Sequence, residues 1–275
     1  MRHWHWLAAS VLVVWPSCAQ ETNAPRLVTG EAIRVGASPT LRSLPPGRSG
    51  RLKMMPDRPL HRGRRFVTKE RFVDPVLQLS PGIESMPAPV ATFEGLSNED
   101  NAAVNGGGVV PPDPNGDVGP NHYVQMVNQL IQVYDKSGAP LTVDPLSLSG
   151  LFASFGGLCQ DGIVSDPIVL YDSLADRWLM SFVAFDVGID PITLQVAPVP
   201  PFHECVACSQ TADPTGEYYL YDFQMPNTWV NDYPKFGVWP DAYYMTDNQF
   251  DAATDDPHGA GVFAFDRGKL LTGDS

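Results

Sequence analysis

Oxygen-bearing side chains at alternate positions make one short segment a candidate calcium loop. Asp113, Asn115 and Asp117 are spaced in this way, and Gly116 stands between the last two. Calcium binds carboxylate and amide oxygens, and a glycine allows the sharp turn that wraps a loop around the ion. Residue 124 is Val where an EF-hand would need a bidentate Glu, so this is no EF-hand. The sequence predicts calcium as a cofactor held by Asp113, Asn115 and Asp117, with a plain Asx turn as the alternative.

Paired carboxylates are a second arrangement that could do chemistry, because two of them about 5–9 Å apart can hydrolyse a glycosidic bond. Asp166, Asp232 and Asp241 begin or precede predicted strands, where the loops of a repeat protein can converge. Each is also explained as the cap of a turn, since Asp favours turns for local backbone reasons. The chain has no G-x-S-x-G and no H-E-x-x-H segment, so the usual serine-hydrolase and zinc-protease signatures are absent.

Three cysteines follow the N-terminal segment, at Cys159, Cys205 and Cys208. An odd number in an exported protein indicates one disulfide and one remaining thiol, or an intermolecular bond. Cys159 can pair with either of the other two on this reasoning. A redox role for the C-x-x-C at 205–208 would need a βαβ context, which the pattern lacks, and a c-type haem would need His at Ser209.

Aromatic residues cluster within a sixteen-residue stretch near the C-terminal end, and they allow two interpretations. The residues are Trp229, Tyr233, Trp239, Tyr243 and Tyr244. Exposed rings would form a surface on which sugars stack, whereas buried rings would fill the space between sheets.

Charge is divided unevenly along the chain, and the division excludes several classes of partner. Residues 1–75 hold 13 of the 18 Lys and Arg and 5 of the 31 Asp and Glu, while residues 76–275 hold the other 5 basic and 26 acidic groups. An acidic body repels nucleic acid and anionic membranes and attracts divalent cations. A sialidase-like site would need three arginines, and residues 76–275 offer only Arg177 and Arg267.

Short apolar and aromatic runs closed by Gly, Pro, Asn or Asp predict an all-β domain over residues 89–275. The expected strands lie at 123–128, 130–134, 167–171, 178–185, 193–197, 205–211, 217–223, 242–246 and 261–265. Three segments repeat an acidic residue close to a proline before an aromatic strand, starting at Asp113, Asp166 and Asp232. This period predicts a β-propeller-like array of about three blades, with a β-sandwich as the alternative. The expectation is a domain truncated at its C-terminus, because propellers close with four to eight blades.

The N-terminal residues have the layout of a secretory signal. A basic start precedes the apolar run at 6–15, and Ser17 and Ala19 are the small residues before a cleavage at Gln20. A lipid-bearing Cys18 is the variant of this interpretation. Residues 20–88, rich in Arg and Pro, are expected to form a linker or pro-segment without regular structure. The ten-residue apolar run is too short for a membrane span.

The segment PPDPNGDVGPNHYVQMV at 111–127 resembles a group of poorly characterised secreted bacterial proteins. The same resemblance extends over residues 86–275 through DPIVLYDSLADRW, DPTGEYYLY, YPKFGVWPDAYY and GAGVFAFDR. It implies an exported, propeller-like module and places Cys159 and Cys205 as the paired cysteines. It carries no catalytic residues across.

These observations favour an exported, non-catalytic surface or extracellular binding module for a glycan or protein ligand, stabilised by calcium. The alternative is a secreted carbohydrate-active hydrolase whose site further blades complete. The first follows from the lack of a strong nucleophile, base or metal motif, and the second from the carboxylates at the predicted strand starts.

Overall fold

Twelve β-strands in three antiparallel sheets dominate the computed structural model, which describes residues 28–45, 80, 87–153, 155–189 and 196–275. Residues from Glu31 onward form one compact unit, Glu31–Ser275, and Met1–Gly30 is a separate unit. The first sheet consists of β2 (Asn115–Val118), β3 (His122–Val127), β4 (Leu130–Asp135) and β5 (Leu146–Ser147). The second consists of β6 (Ile163–Asp172), β7 (Arg177–Ile189), β8 (Val196–Ser209) and β9 (Tyr218–Gln224), with β1 (Arg34–Ala37) at its edge beside β9. The third consists of β10 (Trp229–Val238), β11 (Ala242–Asp251) and β12 (Pro257–Asp266).

The three sheets are built as successive blades, which confirms the predicted all-β, propeller-like array. Within each sheet the strands pair in chain order, apart from β1, and the first strands β2, β6 and β10 bring neighbouring sheets together. A β-sandwich would instead pack two sheets with Greek-key connections. Successive meanders of this kind are the pattern of a propeller.

Two apolar layers hold the sheets together, and the second sheet lies between them. Along β7, Trp178, Met180 and Phe182 enter the layer toward the first sheet, whereas Leu179 and Val183 enter the layer toward the third. Successive side chains of a strand point to opposite faces. The continuous apolar run of β7 therefore reflects burial on both of its faces.

Helices are short in the described part of the chain. They are α1 (Asn98–Asn105), α2 (Leu148–Leu151), α3 (Leu158–Asp161), α4 (Arg267–Thr272) and one 3-10 turn at Leu41–Ser43. α4 directly follows β12. Across the described ranges, no helix combines the length and the apolar character needed to cross a bilayer.

Part of the predicted linker, residues 20–88, departs from the expectation of irregular structure. Residues 34–37 form β1 and pair with β9, and the side chain of Leu41 is fully buried. The short Arg-Val-Gly-Ala strand has little pattern of its own, so its structure comes from the free edge of β9. The predicted signal peptide and nearly all of the Arg/Pro-rich run at 45–65 lie outside the described residues.

The disulfide joins Cys159 to Cys205, as the resemblance implied, and Cys208 is a buried free thiol. Cys205 and Cys208 lie an odd number of positions apart on β8, so their side chains enter opposite apolar layers. Cys159 lies in the layer of Cys205, which decides the pairing. Burial raises the pKa of the Cys208 thiol to about 12, so this cysteine is chemically inert.

Replacing both Cys159 and Cys205 by Ala is expected to lower the free energy of unfolding by about 2–4 kcal/mol. The bond closes a loop between residues 46 positions apart, and its loss frees the unfolded chain. Urea unfolding monitored by tryptophan fluorescence measures this difference. The matched control is Cys208→Ala, which leaves the disulfide intact and should cost clearly less; an equal cost for both would contradict the prediction.

Candidate functional site

A residue in the left-handed backbone region, followed by proline, lies in or just before the first strand of each of the three sheets. These residues are Asp113 with φ +38°, Asp166 with φ +53° and Tyr233 with φ +51°. The pairing register of β6 skips Asp166 and Pro167, and that of β10 skips Tyr233 and Pro234, so both strands have the same two-residue bulge. Non-glycine residues rarely adopt this region, and such strain concentrates at functional sites.

Asn128, directly after β3, connects the first two of these segments. Its Nδ2 donates to Asp113 Oδ2 at 2.6 Å and to the Pro111 carbonyl at 2.7 Å. Its Oδ1 accepts from the backbone N–H of Asp166 at 2.9 Å. The side chain is buried, so this amide fixes the first segment against the start of the second sheet. No motif of the sequence points to Asn128.

Three carboxylates, each in or just before the first strand of its sheet, act on one another electrostatically and form what we call the aspartate centre: Asp113, Asp166 and Asp232. Asp166 shares a side-chain hydrogen bond with Asp113, and its Oδ2 accepts from the backbone N–H of Tyr233 at 3.2 Å. Burial, followed by the charges of Asp232 and Asp113, raises the pKa of Asp166 to about 7. The centre therefore holds a proton near neutral pH that an ordinary carboxyl would have lost.

Lys235 brings a positive charge to the aspartate centre. All three carboxylates act on its ammonium group, although burial is the larger effect and lowers the pKa of Lys235 overall. Its Nζ lies 3.1 Å from the centroid of the Tyr233 ring and donates to the Pro234 carbonyl at 3.1 Å. The lysine thus offsets part of the carboxylate repulsion while Tyr233 remains 46% exposed.

The predicted calcium ligands Asp113, Asn115 and Asp117 have separate partners. Asn115 Oδ1 accepts from the Val169 N–H at 2.7 Å, and Asp117 Oδ2 accepts from the Tyr171 N–H at 2.8 Å. Both belong to β2 and bond the backbone of β6, whereas Asp113 belongs to the aspartate centre. Within the described ranges, no group of three or more His, Cys, Asp or Glu is arranged to hold a metal. Calcium at this loop stays a prediction.

The other predicted residues divide between surface and core. Asp241 is exposed and accepts a hydrogen bond from the Tyr244 hydroxyl at 2.9 Å, whereas Asp166 and Asp232 belong to the aspartate centre. Both interpretations of the aromatic cluster apply in part. Tyr243 is fully buried, while Tyr233, Trp239 and Tyr244 are 46%, 65% and 42% exposed.

Comparisons with known proteins give only distant structural likenesses. No protein-family model and no curated protein sequence matches the chain. An α-L-arabinofuranosidase from Lactobacillus brevis is similar at 13% identity with a TM-score of 0.37, covering 55% of this chain and 47% of that one. A Bifidobacterium bifidum protein assigned as an exo-β-1,3-galactanase is similar at 14% identity with a TM-score of 0.35, covering 58% of this chain and 50% of that one. An exo-β-1,3-galactanase from Phanerochaete chrysosporium is similar at 11% identity with a TM-score of 0.33, covering 58% of this chain and 40% of that one.

The chain spans about half the length of these structures or less. TM-scores below 0.5 carry no argument about activity, so the function of this chain has to be argued from its own residues.

Proposed function

We propose that the chain belongs to an exported glycoside hydrolase whose acid–base chemistry is carried by the aspartate centre. The observation that carries the proposal is the effect of burial and of the Asp232 and Asp113 carboxylates on Asp166, whose pKa is raised to about 7. Two of the three, Asp113 and Asp166, are held in strained backbone conformations. An aspartate that only caps a turn does not need other carboxylates near it, and it does not need to be buried.

The two chemical tasks of glycoside hydrolysis can be assigned within the centre. The hydrogen-bonded Asp113–Asp166 pair holds one proton, which passes to the glycosidic oxygen as the bond to the anomeric carbon breaks. Asp232, which is half-buried, supplies the carboxylate that takes a proton from the attacking water. The hydroxide equivalent joins the anomeric carbon, and the proton taken from water restores the pair.

The exposed aromatic rings support a sugar as the substrate. Tyr233 combines an exposed ring with a backbone N–H that bonds Asp166, so it lies at the edge of the centre. Trp239 directly follows the same strand, β10, and is 65% exposed. Sugars pack their apolar faces on such rings, which suits a polysaccharide running past the carboxylates.

Export is part of this proposal. The Cys159–Cys205 disulfide supports it, because disulfides form and persist in oxidising compartments. The signal-like N-terminus agrees with it, and a mature N-terminus at Gln20 in the exported protein would establish the cleavage.

The rate of hydrolysis is expected to fall about tenfold per pH unit above about pH 7, because the Asp113–Asp166 pair then loses the proton that the leaving group needs. The raised pKa of Asp166 keeps the acid protonated below that pH. The measurement is kcat/KM between pH 5 and 9 on a panel of aryl glycosides and polysaccharides. A profile that stays level through pH 7–9, or the absence of turnover across the panel, would count against the hydrolase.

A non-catalytic binding module for a glycan or protein ligand is the second candidate, and the exposed Tyr233, Trp239 and Tyr244 favour it. The two candidates are separated by a binding experiment on immobilised polysaccharide, in which both retention of the protein and release of sugar are measured. Retention with release of reducing ends supports the hydrolase. Equal retention by the wild type and by Asp166→Asn, with no sugar released by either, supports the binding module.

A further inference from the structure

A second polar group lies inside the apolar layer between the second and third sheets. It consists of Glu204 on β8, Asn231 on β10 and Asp247 on β11, which are 0%, 1% and 3% exposed. Val206, Val230, Tyr243 and Met245 belong to the same layer. Polar groups at such depth cost stability unless every one of them has a partner.

The three side chains are joined to one another but incompletely satisfied. Asn231 Nδ2 donates to Glu204 Oε2 at 3.0 Å, and the charges of Glu204 and Asp247 act on each other. Asp247 Oδ1 accepts from the Gly261 N–H at 3.0 Å. Glu204 Oε1, Asn231 Oδ1 and Asp247 Oδ2 have no hydrogen-bond partner among the residues that the structure describes. One oxygen of each side chain is therefore left over.

The leftover atoms of these three side chains are oxygens, and Ser181 Oγ and His203 Nε2 are the other buried atoms without a partner among the described residues. Burial raises the pKa of Glu204 to about 8 and of Asp247 to about 6, although Ser181 and Asn231 favour the ionised form of Glu204 and the Gly261 N–H and Gln249 that of Asp247. The protein's own groups therefore do not compensate the charges of these two carboxylates. Hard divalent cations take this set of oxygens and compensate two buried carboxylate charges at once.

We propose that Glu204, Asn231 and Asp247 bind a calcium ion that joins the second sheet to the third. The ion takes the three unpartnered oxygens and links β8, β10 and β11 behind the aspartate centre. This site differs from the Asp113–Asp117 loop, and it stands independently of the hydrolase proposal, because its role is to hold two sheets together.

The calcium proposal is tested by whether variants of the ligands melt below or above the wild type, with calcium and without it. In 1 mM calcium, Glu204→Gln and Asp247→Asn should each melt below the wild type, because each removes a charged ligand. With excess chelator the order should reverse, because the same variants remove a buried, uncompensated charge. Chelation should lower the melting temperature of the wild type by about 5–10 °C, the range that saturating binding of one ion gives in a domain of this size.

Metal content gives the second measurement. After equilibration with calcium and gel filtration, the purified wild type should retain one calcium per chain by mass spectrometry, and Asp117→Asn should retain the same amount. Glu204→Gln and Asp247→Asn should retain less than a fifth of it. The proposal is overturned if both variants melt above the wild type in calcium and chelator alike. It is also overturned if the wild type retains no calcium, or if Asp117→Asn alone loses it, which would place the ion at the loop. Hydrolysis is assayed separately, so either proposal can fail without the other.

Discussion

Asp166→Asn is expected to lower kcat for glycoside hydrolysis by about 10²–10⁴-fold, the usual contribution of a positioned acid or base. Asparagine keeps the size and one acceptor oxygen of the side chain, so the bond from the Tyr233 N–H to this oxygen can persist. It cannot carry the proton that Asp166 shares with Asp113. The loss should appear in kcat more than in KM, since the proton is transferred in the transition state.

Two controls separate loss of chemistry from loss of structure. Asp241→Asn removes a carboxylate that is exposed and bonded to the Tyr244 hydroxyl, and activity should stay within about twofold of the wild type. The melting temperature of Asp166→Asn should equal or exceed that of the wild type, because the change relieves repulsion from Asp113 and Asp232. An Asp166→Asn variant that retains full kcat while folded would remove the centre from catalysis.

The sequence predicted the fold class through runs whose pattern survives in the structure. Residues 123–128 and 130–134 become β3 and β4, and residues 178–185 lie within β7. Strand β10 escaped prediction because its residues include Asn231, Asp232 and Pro234, which favour turns. Pro234 fits in the strand because it occupies a bulge, where no ladder hydrogen bond is required.

The aspartate centre was predictable in part from the repeated acidic residue beside a proline. That repeat aligned Asp232 with Asp113 and Asp166, whereas the strained residue of the third sheet is Tyr233. In the third sheet the carboxylate therefore belongs to the residue before the strained one, whereas in the other two sheets the strained residue carries the carboxylate itself. Asn128 carries no sequence signal, because its role depends on contacts with residues 15 and 38 positions away. A buried asparagine of this kind is recognised only once the sheets are placed.

Helix α1 shows the limit of periodicity as a signal. Its residues are mostly polar, but Ser97 and Asp100 form a capping box and Gly106 ends the helix with φ +81°. No apolar period marks this segment, so the sequence interpretation did not predict the helix. The alternating oxygens of Asn115 and Asp117 show the opposite case, since a regular pattern of potential metal ligands also serves to bond the backbone of the next strand.

An ion pair lies at the end of β6 away from the aspartate centre, and its loss is predicted to have a large effect on stability. Asp172, at the end of β6, is fully buried, and its Oδ2 accepts from Arg267 Nε at 2.6 Å and from the Tyr243 hydroxyl at 2.7 Å. Burial opposes ionisation of this carboxyl, but the bonds from Arg267 and Tyr243 outweigh it and lower the pKa of Asp172. The second sheet is thereby joined both to β11 and to the start of α4.

Arg267→Met is expected to lower the free energy of unfolding by about 3–5 kcal/mol at pH 7, because methionine fills much of the space but leaves a buried carboxylate without its cation. Urea unfolding measures the difference, with Arg177→Met as the control. The guanidinium of Arg177 donates to the backbone carbonyls of Ala175 and Asp176, so its loss should cost about 1 kcal/mol or less.

The pH dependence identifies the mechanism of that loss. A lowered pKa of Asp172 in the folded wild type gives stability that is present above about pH 4 and disappears as the pH falls through the folded value. In Arg267→Met the carboxyl is buried without the cation, so it is protonated at a higher pH than in the wild type. The stability difference between the two proteins should therefore shrink as the pH is lowered from 7 to 4. A difference that stays constant over this range would assign the loss to packing around the arginine stem rather than to the stranded charge.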